Sequence, residues 1–316
     1  MYKTGGNNVK KPELLCTAAN LDELVKVIEA GADAVSIGHE RYGLRVAGNF
    51  EVEEIRKATE AAHARGAKVY VSVNALFHND DLEGLPEYLK TLEEIGVDAI
   101  VFGDTAVVMI ARQIGLKVPL HWNAEVLTTN YETMNYWGRK GATRAFVARE
   151  LNMDAIVEIK ENAEVEIQVQ VHGITCIFHS RRDLVTNYEK FMGQEPKPAS
   201  MDRKLFITEE KRDDLQYPIF EDRNGTHIMS AEDICILEYL DELMDAEIDS
   251  FKIEGIMKDT DYNVKVVSAY RRAIDAYAEG PEAFLNNIGN LMEEIRAIQP
   301  SHRELTTGFF FKEQVY

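Results

Sequence analysis

The stretch HGITCIFHSRRDLVTNY, residues 172–188, brings together side chains that bind metals or act as nucleophiles. Cys176 follows His172 by four residues and precedes His179 by three. A thiolate beside an imidazole can act as a nucleophile, so this spacing allows a pair of Cys176 with either histidine. A metal site needs more thiol or imidazole ligands at short spacing, and the chain has no CxxC, HExxH or GxSxG motif. The chemistry of this stretch therefore depends on the elements around it.

The composition excludes several classes of protein. The 316 residues include 35 basic and 54 acidic side chains, and the net charge of −19 repels the phosphate backbone of nucleic acids. No apolar run approaches the roughly 20 residues of a membrane helix, and the N-terminal residues do not resemble a signal peptide. We therefore expect a cytoplasmic protein with no membrane partner. Cys16 and Cys235 are interpreted as small hydrophobic residues, because each lies in an apolar pattern.

Short β-branched runs alternate with amphipathic helical patterns along the chain. Eight strands are predicted, each followed by a helical or connecting segment: 13–17, 34–38, 69–74, 99–104, 119–123, 145–150, 166–173 and 250–255. Eight such units predict an α/β fold of the (β/α)₈ TIM type. An open, doubly wound sheet is the alternative.

One long insertion interrupts the repeat after strand seven. Residues 1–298 are predicted to form a single barrel domain, with the insertion at about 174–229 and a C-terminal tail at 299–316. Within the insertion, Asn224-Gly225 predicts a hairpin. Ser230, with Asp233 three residues on, predicts the capped start of a helix that contains Cys235. Because the insertion follows the carboxyl end of a strand, we expect it to serve as a lid or a docking surface.

Alternation along the strands predicts which side chains point into the barrel. Phe251 and Ile253 share one face of strand eight, and Lys252 and Glu254 share the other. The outer face must be apolar because it packs against helices. The same pattern turns polar residues of other strands inward, namely Tyr70, Ser72, Asn74, His121, Asn123, Gln168, Gln170 and His172.

A barrel interior lined with polar groups has two explanations. The polar groups satisfy one another, or they form a site for a polar small molecule at the barrel mouth. Arg45, in the loop after strand two, could bind a carboxylate or phosphate, or be a solvated loop residue. Arg149 and Glu150 are neighbours at the end of strand six, so only one of them is expected to line the mouth.

The residues also resemble a known family. The resemblance rests on the succession of KPELLCTAANLDELVKVIEAGADAVSIG, YGLRVAGNF, KVYVSVNALFHND, VDAIVFGD, LHWNAEVLTTN, ATRAFVARELNMDAI, VHGITC and DSFKIEGIMKDTDY. These segments are similar, in order and over essentially the whole chain, to the collagenase-like peptidases, number 32 among peptidases of unknown catalytic type. The family implies a barrel fold. Its better-understood members hydroxylate RNA pyrimidines, with an iron–sulfur cluster held by four cysteines and a dependence on prephenate.

The resemblance also implies that this chain lacks the cluster. Cys176 matches the first cysteine, whereas Asp183 stands at the second, and no cysteine occurs between Cys176 and Cys235. One thiolate and one carboxylate do not hold an iron–sulfur cluster. We therefore expect no cluster bound by this chain alone, and interpret Cys176 as the remnant of a cluster site with no metal bound.

Other positions of the family pattern are retained. The resemblance and the alternation together predict ligand-binding residues at Glu13, Asn20, Arg45, Asn74, Asp104, Arg149, Glu150, Gln170, His172, Lys252 and Glu254. No catalytic residue is assigned, and the candidates are Lys252, Glu254, His172 and Cys176. The expected ligand is a small anionic metabolite such as prephenate.

Three hypotheses for the function follow. In the first, the chain is a component of prephenate-dependent hydroxylation of the tRNA wobble uridine, beside a cysteine-bearing paralogue, and contacts tRNA only indirectly. In the second, the family name is literal and the chain is a peptidase. In the third, it is a non-catalytic subunit that binds a metabolite. The sequence leaves open whether the chain is itself an enzyme.

Overall fold

Eight parallel strands close into a barrel in the computed structural model, which describes residues 10–125 and 127–313. The strands of the chain are β1 (Glu13–Thr17), β2 (Ala34–Gly38), β3 (Lys68–Val73), β4 (Ala99–Phe102), β5 (Leu120–Trp122), β6 (Ala142–Phe146), β7 (Glu166–Gly173), β8 (Cys176–Ser180), β9 (Phe206–Glu209), β10 (Arg212–Asp222), β11 (Gly225–Met229), β12 (Asp233–Cys235), β13 (Ser250–Glu254) and β14 (Leu305–Thr306). The helices are α1 (Leu21–Glu29), α2 (Val52–His63), α3 (Leu85–Ile95), α4 (Thr105–Ile114), α5 (Tyr131–Arg139), α6 (Met153–Asn162), α7 (Leu184–Phe191), α8 (Leu240–Asp245), α9 (Thr260–Glu279) and α10 (Pro281–Ile298). Within the described ranges, no helix has the length and apolar character needed to cross a membrane.

The order of the barrel strands is β13-β1-β2-β3-β4-β5-β6-β7, and β7 pairs with β13 to close the ring. This confirms the predicted (β/α)₈ barrel and excludes the open sheet. Seven of the predicted strands match within two residues. The sixth is wrong, because it spans Ala142–Phe146 instead of 145–150. Its central residue, Arg144, points into the barrel. Because this residue is charged, the segment lacks the apolar pattern by which the other strands were predicted.

Alternation along the strands has the predicted effect on packing. Val69, Val71 and Val73 of β3 are fully buried in the large core between strands and helices. Tyr70 of the same strand belongs to a separate, smaller cluster with Leu15, Ala34, Ala99, Val101 and Phe146. Each of these side chains alternates with residues of the outer core, so the smaller cluster fills the barrel interior.

A buried polar network closes the end of the barrel where the strands begin. Arg144 pairs with Glu13, and its guanidinium also donates to Glu166 at 2.7 Å. Glu13 accepts hydrogen bonds from Tyr70 at 2.6 Å and from Ser250 at 3.1 Å. Burial by itself raises the pKa of Glu13, but the hydrogen bond and charge of Arg144 hold it below its ordinary value. The network is satisfied internally at this end of the barrel.

The insertion after β7 forms a four-stranded antiparallel sheet in the order β8-β11-β10-β9. The predicted hairpin at Asn224-Gly225 is confirmed, since Asp222 pairs with Gly225 across the turn from β10 to β11. Gly225 has a φ of +104°, and a Cβ there would lie 2.1 Å from the carbonyl oxygen of Ser180.

The segment after the insertion differs from the prediction. No helix begins at Ser230, because Asp233, Ile234 and Cys235 form β12, which pairs antiparallel with the end of β7. Asp233 caps nothing; its carboxylate accepts from Lys258 at 2.5 Å and from Arg303 at 2.8 Å. These two buried cations draw the segment into an extended conformation, so α8 starts only at Leu240. β12 also pairs with β14, in the predicted tail.

Candidate functional site

A cavity with about 570 Å³ of empty volume opens at the mouth of the barrel, where the strands end. Six of its polar or charged lining residues come from loops and strands far apart in sequence: Arg45, Glu125, Arg149, Gln168, Lys252 and Glu254. A neighbouring cavity of about 490 Å³ shares Arg45, Glu125, Lys252 and Glu254 and adds Asn74. The two cavities therefore surround one cluster of charges.

Two arginines and one glutamate form the first part of this cluster. Arg45 pairs with Glu125, and the Arg149 guanidinium lies 3.7 Å from the other carboxylate oxygen of Glu125. Arg149 also donates a hydrogen bond to the backbone oxygen of Cys176. Burial lowers the pKa of both arginines from the ordinary value. Two desolvated guanidiniums thus share one carboxylate, and an incoming anion would compete with Glu125 for them.

The second part of the cluster is the ion pair on β13. The ammonium of Lys252 lies 2.8 Å from Glu254 Oε2, and the other oxygen of Glu254 accepts from Thr17 at 3.1 Å. Lys252 also lies 5.9 Å from the centre of the Phe146 ring. The predicted inward ion pair of Lys252 and Glu254 is therefore confirmed.

Gln168 is a buried polar residue in the wall of the cavity. The residue is 1% exposed, and neither amide atom has a hydrogen-bond partner within the part of the chain that the structure describes. Gln170, the next inward residue of β7, donates to the backbone oxygen of Ile174 at 3.1 Å. A buried amide without a partner costs about 1–3 kcal/mol, which makes Gln168 a candidate donor and acceptor for a ligand.

Several predicted ligand-binding residues do not line the cavity. Glu13 lies at the opposite end of the barrel, because it starts β1 and the mouth is formed by strand ends. Asn20 and Asp104 cap α1 and α4, where their side chains accept backbone N–H groups. Glu150 is exposed, so only Arg149 of that pair lines the mouth, as predicted. Asn74 lines the neighbouring cavity, and its Oδ1 accepts from the backbone N–H of Leu44.

The prediction that His172 points into the barrel is wrong. The register between β7 and β13 shifts at Val171, since Lys252 pairs with Gln170 while Ile253 pairs with His172. This irregularity turns His172 to the outer face, where its ring contacts the hydroxyls of Tyr262 at 2.9 Å and Tyr270 at 3.4 Å. Burial lowers the pKa of His172 to about 3, which keeps the imidazole neutral.

No thiol–imidazole pair is assembled at Cys176. The Cys176 thiol lines the cavity and donates to the backbone oxygen of Phe178 at 3.2 Å. His172 binds two tyrosines on the other side of β7, and His179 Nε2 contacts the backbone oxygen of Asn224 at 2.9 Å. The interpretation of Cys176 and His172 as a peptidase dyad therefore has no support from the geometry.

The residues present do not fit an iron–sulfur cluster. Cys176 is the single cysteine at the cavity; Cys16 is buried in β1, and the Cys235 thiol packs 3.8 Å from the sulfur of Met292. Asp183 is an exposed residue at the start of α7. Across residues 10–125 and 127–313, no three His, Cys, Asp or Glu side chains are grouped so that they could hold a metal ion.

Arg181 and Arg182, which directly precede Asp183, lie at the rim. Arg181 donates to the backbone oxygen of Leu76 at 3.3 Å and lies 3.4 Å from a carboxylate oxygen of Asp81. It thereby fastens the insertion to the loop after β3. Arg182 is exposed to solvent.

Sequence reasoning missed Glu125 and did not include Gln168 among the ligand-binding residues. Glu125 follows β5 by three residues, and the position of that loop at a strand end was the available signal. Gln168 was placed inward correctly, but its lack of partners depends on three-dimensional packing that no pattern reveals.

Comparisons with known proteins extend these observations. The sequence profile of peptidase family U32 matches residues 19–315. The chain is 53% identical over 313 residues to tRNA hydroxylation protein P2 of Bacillus subtilis (strain 168), covering 98% of this chain and 100% of that protein. It is 34% identical to tRNA hydroxylation protein P1 of the same organism, covering 97% and 74%. It is also 28% identical to a collagenase of Porphyromonas gingivalis, covering 86% and 68%.

Proposed function

The chain belongs to peptidase family U32, and we propose that it is a component of tRNA wobble-uridine hydroxylation that binds a small anionic metabolite at the barrel mouth. The observation that carries this proposal is the 53% identity with tRNA hydroxylation protein P2 over the full length of that relative. The cavity of this chain supports it further, because its charges suit an acidic ligand.

The ligand class follows from the charges of the cavity. Arg45, Arg149 and Lys252 supply three positive charges, and Glu125 and Glu254 supply two negative ones. A ligand carboxylate that displaces Glu125 would gain hydrogen bonds from desolvated guanidiniums, which are stronger than those of exposed ones. Gln168 would bind a carbonyl or hydroxyl group of the same ligand. We therefore propose a dicarboxylate with a further polar oxygen, for which prephenate is the candidate.

The hydroxylation chemistry is assigned to a partner. Cys176 alone cannot hold a cluster, so we propose that a cysteine-bearing paralogue of the same family carries the iron–sulfur cluster. With a net charge of −19, the chain is also poorly suited to bind tRNA by itself, and the paralogue would supply most of the contacts to RNA. The role of this chain is then to bind the metabolite and present it to the partner.

Complementation tests the proposed process. A Bacillus subtilis strain that lacks its P2 relative should regain hydroxylated wobble uridine, measured by mass spectrometry of purified tRNA, when this chain is expressed. An Arg45→Ala, Arg149→Ala variant, expressed at the same level, should not restore it. Failure of the wild-type chain to restore the modification, with its expression confirmed, would overturn the proposal.

Calorimetry tests the proposed ligand separately. Titration with prephenate should release or absorb heat with the wild-type chain, and Lys252→Ala should weaken the binding. No heat with prephenate or related dicarboxylates would contradict the proposed ligand class. Binding of prephenate without any effect on tRNA would favour the alternative of a metabolite-binding subunit outside RNA modification.

A further inference from the structure

The insertion contacts the loop of Arg45 through the side chain of Asn224, and we infer that Asn224 is a positioning residue that orients Arg45 toward an anion at the barrel mouth. This inference rests on the proposed function, because it concerns the same site. The amide nitrogen of Asn224 donates to the backbone oxygens of Glu40 at 3.2 Å and of Gly43 at 3.1 Å. Asn224 is 4% exposed. A buried amide of the insertion is therefore bonded to a loop that precedes it by more than 180 residues.

The turn of the hairpin does not require the side chain of Asn224. Gly225 supplies the positive φ of this turn, at +104°, whereas Asn224 does not have a positive φ. The backbone N–H of Asn224 donates to the Asp222 carboxylate at 2.7 Å, which is a bond within the turn. Both hydrogen bonds that the side-chain nitrogen donates leave the hairpin. The side chain of Asn224 thus serves a contact outside its own element.

Asn74 and Asn224 hold the same peptide group from opposite sides. The carbonyl of Gly43 and the N–H of Leu44 belong to one trans, planar peptide group. Asn224 donates to this carbonyl, and Asn74 Oδ1 accepts from this N–H at 2.9 Å. The two groups of a trans peptide point in opposite directions, so the peptide plane cannot rotate without breaking one of these bonds. The backbone directly before Arg45 is therefore fixed in orientation.

Arg45 needs such support because its backbone is strained. Its φ of +51° lies in a region that residues other than glycine rarely adopt, and such conformations persist where the surrounding contacts determine the backbone. The Arg45 side chain is 7% exposed and pairs with Glu125 in the cavity. A loop released by Asn224 would be free to relax to negative φ, which would turn the guanidinium away from its place in the cavity.

Only a donor at position 224 can form these contacts. Both partners are carbonyl oxygens, which accept hydrogen bonds and do not donate them. Asn224→Asp keeps the shape of the side chain but places a carboxylate oxygen against the two carbonyls. Asn224→Ala leaves both carbonyls without this partner. The two substitutions differ in size and charge, yet both should release the loop.

Hydrogen exchange of the ligand-free chain, measured by mass spectrometry of peptic peptides, tests whether Asn224 holds the loop. Peptides that cover residues 40–46 should exchange roughly 10-fold faster in Asn224→Ala and Asn224→Asp than in the wild type. Asn135→Ala is the matched control, because Asn135 is 6% exposed and its amide donates to the backbone oxygen of Asn162 at 3.0 Å. This control should leave the exchange of residues 40–46 unchanged. Wild-type exchange in both Asn224 variants, or equally fast exchange in Asn135→Ala, would overturn the inference.

Calorimetry with prephenate tests whether Asn224 acts through Arg45. Asn224→Ala should weaken binding roughly 10-fold in the otherwise wild-type chain. In an Arg45→Gly background, the same substitution should change the affinity less than about twofold, because the guanidinium that Asn224 positions is already absent. An equal loss in both backgrounds would mean that Asn224 supports the fold in general, and the positioning role would be wrong. Asn135→Ala should bind prephenate like the wild type.

The two measurements separate this inference from the proposed function. A wild-type chain that binds neither prephenate nor related dicarboxylates removes the proposed ligand, while the exchange of residues 40–46 still decides whether Asn224 holds the Arg45 loop. Faster exchange in Asn224→Ala together with unchanged prephenate binding would contradict the positioning role and leave the proposed ligand intact.

Discussion

Arg45 and Glu125 form an ion pair at the barrel mouth, and both residues have a left-handed backbone conformation. Their φ angles are +51° and +58°, a region that residues other than glycine rarely occupy. Such conformations cost of order 1–3 kcal/mol each and cluster at binding and active sites. The strained loops after β2 and β5 thus meet over the cavity and hold a guanidinium in place before any ligand arrives.

Replacing Arg45 by glycine separates binding from folding. Arg45→Gly keeps a residue suited to positive φ, so the free energy of unfolding should stay within about 1 kcal/mol of the wild type. Loss of the charged hydrogen bonds should weaken prephenate binding roughly 10- to 100-fold in calorimetry. Lys204→Gly, at φ +50° outside the mouth cavity, is the matched control and should bind normally. Wild-type affinity in Arg45→Gly would remove this residue from the site.

Replacing Gln168 by an apolar residue should raise the free energy of unfolding and weaken ligand binding. Gln168→Leu removes a buried amide that has no partner, so the free energy of unfolding in urea should rise by roughly 1–2 kcal/mol. The same change should weaken prephenate binding, because the ligand loses a donor and an acceptor. Gln168→Glu should weaken binding further by adding a negative charge. A less stable Gln168→Leu protein with unchanged affinity would show that the amide serves the fold instead.

Asp233 should be essential for stability. Asp233→Asn leaves Lys258 and Arg303 buried without their shared carboxylate, and the loss should reach about 3–5 kcal/mol in chemical unfolding. Asp275 pairs with Lys11 at the surface, where both side chains are almost half exposed. Asp275→Asn should therefore cost less than about 1 kcal/mol. Equal effects of the two substitutions would contradict the structural role of Asp233.

His172 should make the fold sensitive to mild acid. The unfolded chain binds a proton on His172 below the ordinary pKa of 6.5, whereas the folded chain does so only below about 3. The neutral His172 therefore makes its full contribution to the free energy of unfolding above pH 6.5. This contribution falls as the pH drops toward 3, and the loss between pH 7 and pH 5 is roughly 2 kcal/mol. Burial also lowers the pKa of His121, which adds to the loss.

The measurement for His172 is urea unfolding at both pH values. His172→Gln should lose about 2 kcal/mol less than the wild type between pH 7 and pH 5, whatever its stability at pH 7. His302→Gln, at an exposed histidine, should keep the wild-type loss. An unchanged pH dependence in His172→Gln would mean that the buried imidazole takes up a proton in the folded state.

The barrel could be predicted from the sequence because its strands carry a period-two pattern between glycine-ended helices. Gly96 illustrates the helix signal, since it ends α3 at a φ of +83°. The inward direction of Lys252 and Gln168 followed from the same pattern. The position of Glu13 was also implicit, because a residue that begins a parallel strand lies at the end away from the mouth.

The remaining features depend on departures from regular structure. A single register irregularity in β7 turns the His172 side chain to the outer face of the barrel. A pattern with a period of two cannot predict such an irregularity. Glu125 lies in a loop without periodicity, and its own left-handed backbone conformation places its side chain at the cavity. β12 formed instead of a helix because Asp233 meets cations that follow it by 25 and 70 residues. Ion pairs between residues so far apart in the chain produce no local pattern in the sequence.

The pairing of β12 with β14 has a consequence for the order in which the protein matures during synthesis. β12 pairs with His172 and Gly173 of β7, past Gln168, the last residue of β7 that pairs with β6. β12 also pairs with β14, and Asp233 of β12 forms an ion pair with Arg303. Chains fold as they emerge from the ribosome at about 5–20 residues per second, with N-terminal parts first. The short edge that β12 and β14 add to the end of β7 therefore stays incomplete until residues 303–306 have emerged. A nascent chain stalled earlier would already carry Arg45, Glu125, Arg149, Gln168, Lys252 and Glu254, but its Asp233 and Lys258 would still lack Arg303.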